Sequence, residues 1–147
     1  MIDLQPNNMQ TRLNHIFLTT QGNTEILDIT QKVSECIHSS ALLNGLVTIF
    51  CPSSTSGITT IEFEPGVLQD LNEIFNEIVP KDYNYQHNEA WHDGNGHSHI
   101  RAALLGASIT IPLVEGRMTL GTWQQIVFID FDTRPRKREI IVQILGE

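Results

Sequence analysis

Four of the six histidines of this 147-residue chain fall within thirteen positions, from His87 to His99. This histidine segment reads His-Asn-Glu-Ala-Trp-His-Asp-Gly-Asn-Gly-His-Ser-His. Imidazole titrates near neutrality and is a common ligand of borderline metals. If the chain around His97 and His99 is extended, the two rings share one face, and His87 would complete the three nitrogens of a catalytic zinc site. The spacing matches no regular zinc signature, so exposed loop histidines without a ligand are the alternative.

Two carboxylates lie where they could assist the histidines. Asp93 opens the sequence Asp-Gly-Asn-Gly, which indicates a turn because glycine and asparagine tolerate positive φ. Asp93 is then either a turn residue alone or a catalytic carboxylate. Glu62 lies in an apolar strand, where an unpaired buried carboxylate would be costly. It therefore either faces solvent or serves as a buried general base or ligand partner.

Three further segments have both a functional and a structural interpretation. The loop 53–57 is rich in hydroxyls, and its amides and side chains could bind an anion, although such loops are often simple turns. Trp123 is either a core tryptophan or a wall against a flat ligand. Four of the nine basic residues fall within 134–138, which predicts a solvated turn between strands or, alternatively, an anion or subunit contact.

Composition excludes several classes of protein. The net charge of −8 disfavours a nucleic-acid partner, since an acidic chain repels a phosphate backbone. There is neither a glycine-rich nucleotide loop nor a serine nucleophile elbow. Cys36 and Cys51 match no disulfide framework or zinc motif, and their apolar neighbours predict buried, reduced thiols. No stretch resembles a signal peptide or a membrane span, so we expect a cytoplasmic protein without a membrane partner.

The elements that must position these residues indicate an α+β fold. We predict one domain over residues 1–147, with about seven mainly antiparallel strands and two helices. The helices follow Thr30 and Pro65, and 81–98 is expected to be a loop followed by a short apolar turn over 100–105. Apolar residues on both faces of 125–131 and 139–145 call for a second cover, which predicts a closed homo-oligomer. The predicted strands are 15–20 and 25–29, paired as a hairpin, then 46–51, 58–64, 108–114, 118–120, 125–131 and 139–145.

Several motifs resemble one known family. They are Ser-Gly-Ile-Thr-Thr-Ile-Glu over 56–62, His-Ile-Arg-Ala-Ala-Leu-Leu-Gly over 99–106, Ser-Ile-Thr-Ile-Pro over 108–112, and Leu-Gly-Thr-Trp-Gln-Gln over 120–125. Together they resemble the YjbQ family, sometimes named secondary thiamine-phosphate synthase. The resemblance runs from about Leu13 onward, and the Gly-Thr-Trp-Gln block is its most specific part.

The resemblance implies a compact α+β fold with a β-sandwich and two helices, assembled as a homotrimer. It also implies a weak synthase that joins a pyrimidine diphosphate to a thiazole phosphate, releasing diphosphate and favouring a divalent cation, Zn or Mg. The family pattern carries over to His87, His99, Glu62 and Trp123. Ser53 departs from it, because many members have a histidine there. This chain instead has additional histidines in the histidine segment, so its site is a variant.

We therefore expect an enzyme that acts on a small phosphorylated metabolite, resembling a weak thiamine-phosphate synthase. Arg117 is the expected phosphate-binding cation. A non-catalytic trimer that binds a small anionic metabolite or a metal, and a metal-dependent hydrolase, are the alternatives. The expected catalytic residues are His87, His99, Glu62 and Asp93; the metal ligands are His87, His97 and His99; the substrate-binding residues are Asn95, Arg117, Thr122, Trp123, Ser54 and Thr55.

Overall fold

Two antiparallel sheets and four helices make up residues 8–147, the part of the chain that the computed structural model describes. The predicted domain began at residue 1, and residues 1–7 lie outside the described range. The strands are β1 (Gln10–Thr20), β2 (Glu25–Asp28), β3 (Gly45–Phe50), β4 (Ser56–Ile61), β5 (Ser108–Val114), β6 (Arg117–Met118), β7 (Gln125–Asp130) and β8 (Arg136–Gly146). The helices are α1 (Thr30–Ser40), α2 (Pro65–Ile78), α3 (Gln86–Trp91) and α4 (Gly96–Leu105).

The larger sheet has five strands in the order β1-β8-β3-β5-β6, and the smaller has three in the order β2-β7-β4. One hydrophobic core joins them. Val47 and Ile49 of β3 contribute to it from the larger sheet, and Phe128 of β7 from the smaller. Val33 and Ile37 on the apolar face of α1 belong to the same core. The α+β class predicted from the sequence is confirmed.

A second core covers the other face of the smaller sheet. Phe75 of α2 and Ala102 of α4 pack there with Val127, Ile129 and Phe131. The rings of Phe75 and Phe131 meet edge to face, with centroids 5.0 Å apart. The helices therefore supply the second cover that the apolar run of β7 requires, and they do so within the chain. A partner subunit is therefore not needed to cover the second face of β7.

The predicted hairpin between the first two strands is wrong. β1 pairs along its whole length with β8, whereas β2 pairs with β7, so the two strands belong to different sheets. The turn signal at Gly22-Asn23 is real, since both residues have positive φ. However, the turn packs against the chain that follows β7: the amide of Asn23 donates to the carbonyl of Asp132 at 2.7 Å. The local sequence thus predicted the turn correctly. The two strands that flank it, however, pair with strands that are distant in sequence.

The prediction of only two helices is also wrong, because α3 and α4 occupy segments expected to be loop and turn. The buried face of α4 consists mainly of small or polar residues, so it shows no apolar stripe. Arg101, fully buried, donates from Nε and Nη2 to the carbonyl of Val79 just beyond α2 and from Nη1 to Thr24. These partners lie far away in sequence, so the helix could not be recognised locally.

Two smaller expectations concern burial and membranes. Cys51 is buried as predicted, but Cys36 is only partly buried, and both cysteines are free thiols. Burial raises the pKa of each thiol, so neither is an activated nucleophile. Among residues 8–147, no helix is long and apolar enough to span a lipid bilayer.

Candidate functional site

Three connections meet at one end of the smaller sheet: the loop from β3 to β4, the turn from α3 into α4, and the loop from β7 to β8. Between them lies a cavity of about 360 Å³, which we call the polar cavity. Almost every side chain around it can donate or accept a hydrogen bond. Its lining residues are Pro52, Ser53, Ser54, Thr55, Asp93, Asn95, His99, Asp132, Arg136 and Arg138.

Arg138 connects several residues at the polar cavity through its hydrogen bonds. Its guanidinium donates to both carboxylate oxygens of the fully buried Asp130, at 2.7 and 2.8 Å. It also donates to the hydroxyls of Ser53 and Thr55, each at 2.9 Å, which fastens the β3–β4 loop to the smaller sheet. Burial alone would lower the pKa of Arg138, but the hydrogen bonds and charge of Asp130 raise it. The prediction of a solvated basic turn is therefore wrong for Arg138.

Asp132 and Arg136 form the second ion pair of the polar cavity. The buried carboxylate accepts through Oδ2 from Nε of Arg136 at 2.9 Å and from the hydroxyl of Thr55 at 3.0 Å. Burial would raise the pKa of Asp132, but these two hydrogen bonds and the neighbouring arginines lower it, so it is a carboxylate at neutral pH. Arg136 forms no hydrogen bond to another described residue through Nη1 or Nη2, and it is partly exposed. The two terminal nitrogens are therefore available to bind an anion.

Two of the predicted histidines lie together beside this cavity. The ring centroids of His87 and His99 are 4.4 Å apart, and Nε2 of His87 is 3.3 Å from a carboxylate oxygen of Asp93. The other Asp93 oxygen accepts from the amide of Asn95 at 3.0 Å. That bond first, and His87 second, lower the pKa of Asp93, so the carboxylate is ionised and orients the His87 ring. Three of the predicted catalytic residues, His87, His99 and Asp93, therefore lie next to one another.

His99 also lines a second cavity, of about 690 Å³. We call it the aromatic groove, because Tyr83, Tyr85 and His87 line it together with His99. The two tyrosine rings meet edge to face, with centroids 5.1 Å apart. A planar ring could stack in this groove while an attached anion reached the polar cavity. His99 would then lie between the two parts of such a ligand.

His97 does not join His87 and His99, because the segment is helical rather than extended. It is only 2% exposed, its ring lies 6.5 Å from that of Tyr85, and it lines neither cavity. Burial lowers the pKa of His97 to about 4. Within residues 8–147, no group of three or more His, Cys, Asp or Glu side chains is placed to hold a metal ion. The three-histidine ligand set is therefore not assembled in one chain.

Other predicted residues lie elsewhere. In the smaller sheet Ser56 pairs with Asp130 at the polar-cavity end, and Ile61 pairs with Gln125 at the opposite end. At that opposite end Glu62 follows β4, and Thr122 and Trp123 precede β7. All three residues are exposed. Glu62 thus faces solvent, and the core interpretation of Trp123, 70% exposed, is wrong.

The predicted phosphate-binding Arg117 lies in neither cavity of the site. It lines a separate cavity of about 550 Å³ between α1 and β6. By contrast, the predicted substrate-binding residues Ser54, Thr55 and Asn95 all line the polar cavity. Ten residues were predicted for catalysis or substrate binding. The six that belong to the histidine segment or to the loop 53–57 line the polar cavity or the aromatic groove.

Sequence reasoning missed Asp132, Arg136 and Arg138 as site residues. One signal could have found them. Asp130 ends the otherwise apolar strand β7 and Asp132 follows it by two residues, and buried carboxylates require cationic partners. Arg136 and Arg138 are two residues apart in β8, so they lie on the same face of that strand. Pairing the two aspartates with the two arginines would have indicated this end of the sheet.

The two sheets, the four helices and the ligand-sized cavities define an α+β domain with a candidate small-molecule site. A family model described as UPF0047 protein YjbQ-like matches residues 14–147. A UPF0047 protein of Methanothermobacter thermautotrophicus is 40% identical over 139 residues, covering 95% of each chain. One from Archaeoglobus fulgidus is 39% identical over 87% of this chain and 97% of its own. The chain belongs to the UPF0047 family of YjbQ-like proteins.

Solved structures agree with this assignment. A YbjQ-like protein of unknown function from Sulfolobus solfataricus superposes with a TM-score of 0.91 at 34% identity, covering 95% of this chain and all of its own. A hypothetical protein from Aeropyrum pernix has a TM-score of 0.86 at 32% identity over 92% of this chain and 99% of its own. The arrangement of sheets and helices is thus shared within the family.

Proposed function

We propose that the polar cavity and the aromatic groove bind a small phosphorylated metabolite with a planar ring, and that the protein is an enzyme acting on it. One observation carries the proposal: His99 lines both cavities, and the His87–Asp93 pair lies against it. A ligand that filled both would have its reactive region beside two imidazoles. Imidazole is the most frequent general acid and base in enzymes.

The phosphate end of the ligand belongs in the polar cavity. The terminal nitrogens of Arg136 can form two parallel hydrogen bonds to a phosphate, which a lysine could not. The hydroxyls of Ser53 and Ser54 line the same cavity. The N-terminus of α4, at Gly96, adds the positive end of a ten-residue helix dipole next to Asn95. These groups supply anion binding although the chain as a whole is acidic.

The finer proposal is the reaction implied by the family resemblance, transfer of a pyrimidine from its diphosphate to a thiazole phosphate. Both substrates combine a planar ring with a phosphate group, which suits the two cavities. A C–N bond forms while the C–O bond to diphosphate breaks, and a protonated His99 can give its proton to the departing oxygen. The ionised Asp93 favours the orientation of His87 needed to stabilise that charge.

A resident zinc ion does not fit the described donors, since no three metal-binding side chains converge. No step is therefore assigned to one. Magnesium would arrive with the diphosphate, whose oxygens are its usual ligands. The alternative of a non-catalytic binder is favoured by Ser53: it occupies the position of a family histidine, and its hydroxyl is already bound to Arg138.

We also propose that the chain assembles as a homotrimer through the outer face of its larger sheet, in the cytoplasm. Leu13 and Phe17 of β1, Leu46 and Phe50 of β3, and Leu145 of β8 are each between 39% and 73% exposed. A second copy would cover them, and such apolar faces are characteristic of subunit interfaces. Light scattering should give three times the 16.6 kDa chain mass. A monomer mass at all concentrations would contradict the proposal.

Turnover of the two substrates tests the proposed enzyme. The purified chain is incubated with the pyrimidine diphosphate, the thiazole phosphate and magnesium, and diphosphate release is measured. We expect His99→Ala to lower the rate at least a hundredfold, because general acid catalysis contributes on the order of 10²–10⁴. His38→Ala is the matched control, since that exposed histidine of α1 is remote from both cavities. Saturable binding without turnover in any variant would favour the non-catalytic binder.

A further inference from the structure

Two buried oxygen atoms of the polar cavity have no hydrogen-bond donor among residues 8–147. They are Oδ1 of Asp132 and Oδ1 of Asn95, whose residues are 1% and 6% exposed. Both residues line the polar cavity. A buried acceptor without a donor costs about 1–3 kcal/mol, and more when it is charged. Two such acceptors in one ligand-sized cavity indicate donors on the ligand.

The surrounding contacts hold the Asp132 carboxylate in place and position the backbone of Asn95 near it. Asp132 is held through its other oxygen by Arg136 and Thr55, so its carboxylate cannot turn away. The hydroxyl of Ser98 donates to the carbonyl of Phe131 at 2.5 Å, and the amide of Ser98 donates to the carbonyl of Asn95. Ser98 thereby joins the start of α4 to the end of β7, which brings Asn95 and Asp132 to the same wall.

The neighbouring charges decide which donors suit these oxygens. A metal cation beside Asp132 would face Arg136 at 2.9 Å and Arg138 at 3.5 Å from the same carboxylate. Three positive charges around one buried carboxylate would repel one another strongly. No cluster of three metal-binding side chains is present within the described chain either. Hydroxyl or uncharged N–H groups on the ligand satisfy the oxygens without bringing a further cation next to the arginines.

We propose that Asp132 and Asn95 are specificity-determining residues that select a ligand carrying O–H or N–H donors close to its phosphate group. The inference rests on the proposed phosphate site and narrows its substrate class to phosphates that carry a hydroxyl or an uncharged N–H. Arg136 holds the phosphate, while the two acceptors recognise the donors beside it. Sites built to accept from a substrate hydroxyl or amine discriminate strongly against analogues that lack it, because their polar groups are then left unpaired.

Calorimetric titration with three probes of similar size tests this. Glycerol 3-phosphate carries hydroxyl donors, 2-formamidoethyl phosphate carries an uncharged N–H, and propyl phosphate carries neither. We expect the wild-type protein to bind at least one of the first two at least tenfold more tightly than propyl phosphate. The more tightly bound of these two probes identifies the preferred donor as O–H or uncharged N–H.

Variants separate this inference from the phosphate site on which it rests. Asn95→Leu keeps the side-chain size but removes one acceptor, and should reduce the preference over propyl phosphate at least fivefold. Arg136→Met should weaken the binding of all three probes, because it removes the cation that binds the phosphate group they share. Equal binding of the three phosphates, unchanged in Asn95→Leu, would overturn the inference and leave the phosphate site intact. Failure of every probe to bind would overturn both.

Discussion

The two ends of the smaller sheet hold their polar side chains in different ways. At the Asp130 end, Asp130, Asp132 and Arg138 are buried or nearly so, and hydrogen bonds fix their orientation. At the opposite end, Glu62 and Trp123 project from exposed loops. Both ends carry residue types suited to chemistry. Only the first supplies the buried, supporting contacts that hold a reactive group in one position, and a functional site needs those contacts.

The largest expected difference between the two ends is in stability. Arg138→Met leaves Asp130 buried without its cation, and breaking a buried ion pair in this way costs roughly 3–5 kcal/mol. The free energy of unfolding, measured by urea denaturation, should fall by that amount. Arg138→Lys keeps the charge but loses the paired hydrogen bonds to Asp130, so its loss should be intermediate. An Arg138→Met protein as stable as wild type would mean that this network does not support the site.

A smaller effect is expected in how the free energy of unfolding depends on pH, and it arises from His97 at the Asp130 end. Burial holds the pKa of His97 near 4, whereas an unfolded histidine has a pKa of about 6.5. Below pH 6.5 the unfolded chain therefore binds a proton that the folded chain does not, and stability falls as the pH drops to about 4. The shift corresponds to a total loss of about 3 kcal/mol.

His97→Leu isolates this contribution. The variant should show a flatter dependence of unfolding free energy on pH between 6.5 and 4, whatever its absolute stability. Urea denaturation at several pH values measures both slopes. A parallel pair of curves for wild type and variant would show that His97 is protonated in the folded protein, contrary to its burial.

The smallest effect is expected at the opposite end of the sheet. Trp123→Ala removes a side chain that is 70% exposed and in contact with little of either core, so the free energy of unfolding should change by about 0.5 kcal/mol or less. Glu62→Gln should behave similarly. Both variants should bind propyl phosphate as wild type does. A large loss of binding in either one would bring this end into the site, as the family resemblance implies.

Strong apolar patterns made much of the fold predictable. The strands predicted over 46–51 and 125–131 match β3 and β7 to within a residue, because dense β-branched runs are decided locally. The apolar stripe beginning after Pro65 likewise gave α2. The helix α4 escaped detection because its buried face is made of residues such as His97 and Arg101. Their burial depends on partners contributed by other elements, which a local pattern does not contain.

The site was predictable to the extent that its residues cluster in sequence. His87, Asp93 and His99 lie within thirteen positions, and they are neighbours in the structure. The basic run 134–138 alone does not distinguish Arg136 from its neighbours, because the role of Arg136 depends on Asp132 and on the β3–β4 loop. Those contacts arise from the pairing of β7 with β4 and of β8 with β3, over many intervening residues.

Two arginines give the most direct test of the claim that the ligand's phosphate binds at the Asp130 end. Arg136 lines the polar cavity, whereas Arg117, the cation favoured by sequence reasoning, lines a separate cavity against α1. Calorimetric titration with the thiazole phosphate should show at least tenfold weaker binding for Arg136→Met and unchanged binding for Arg117→Met. The opposite pattern, with Arg117→Met losing affinity and Arg136→Met unaffected, would contradict the account.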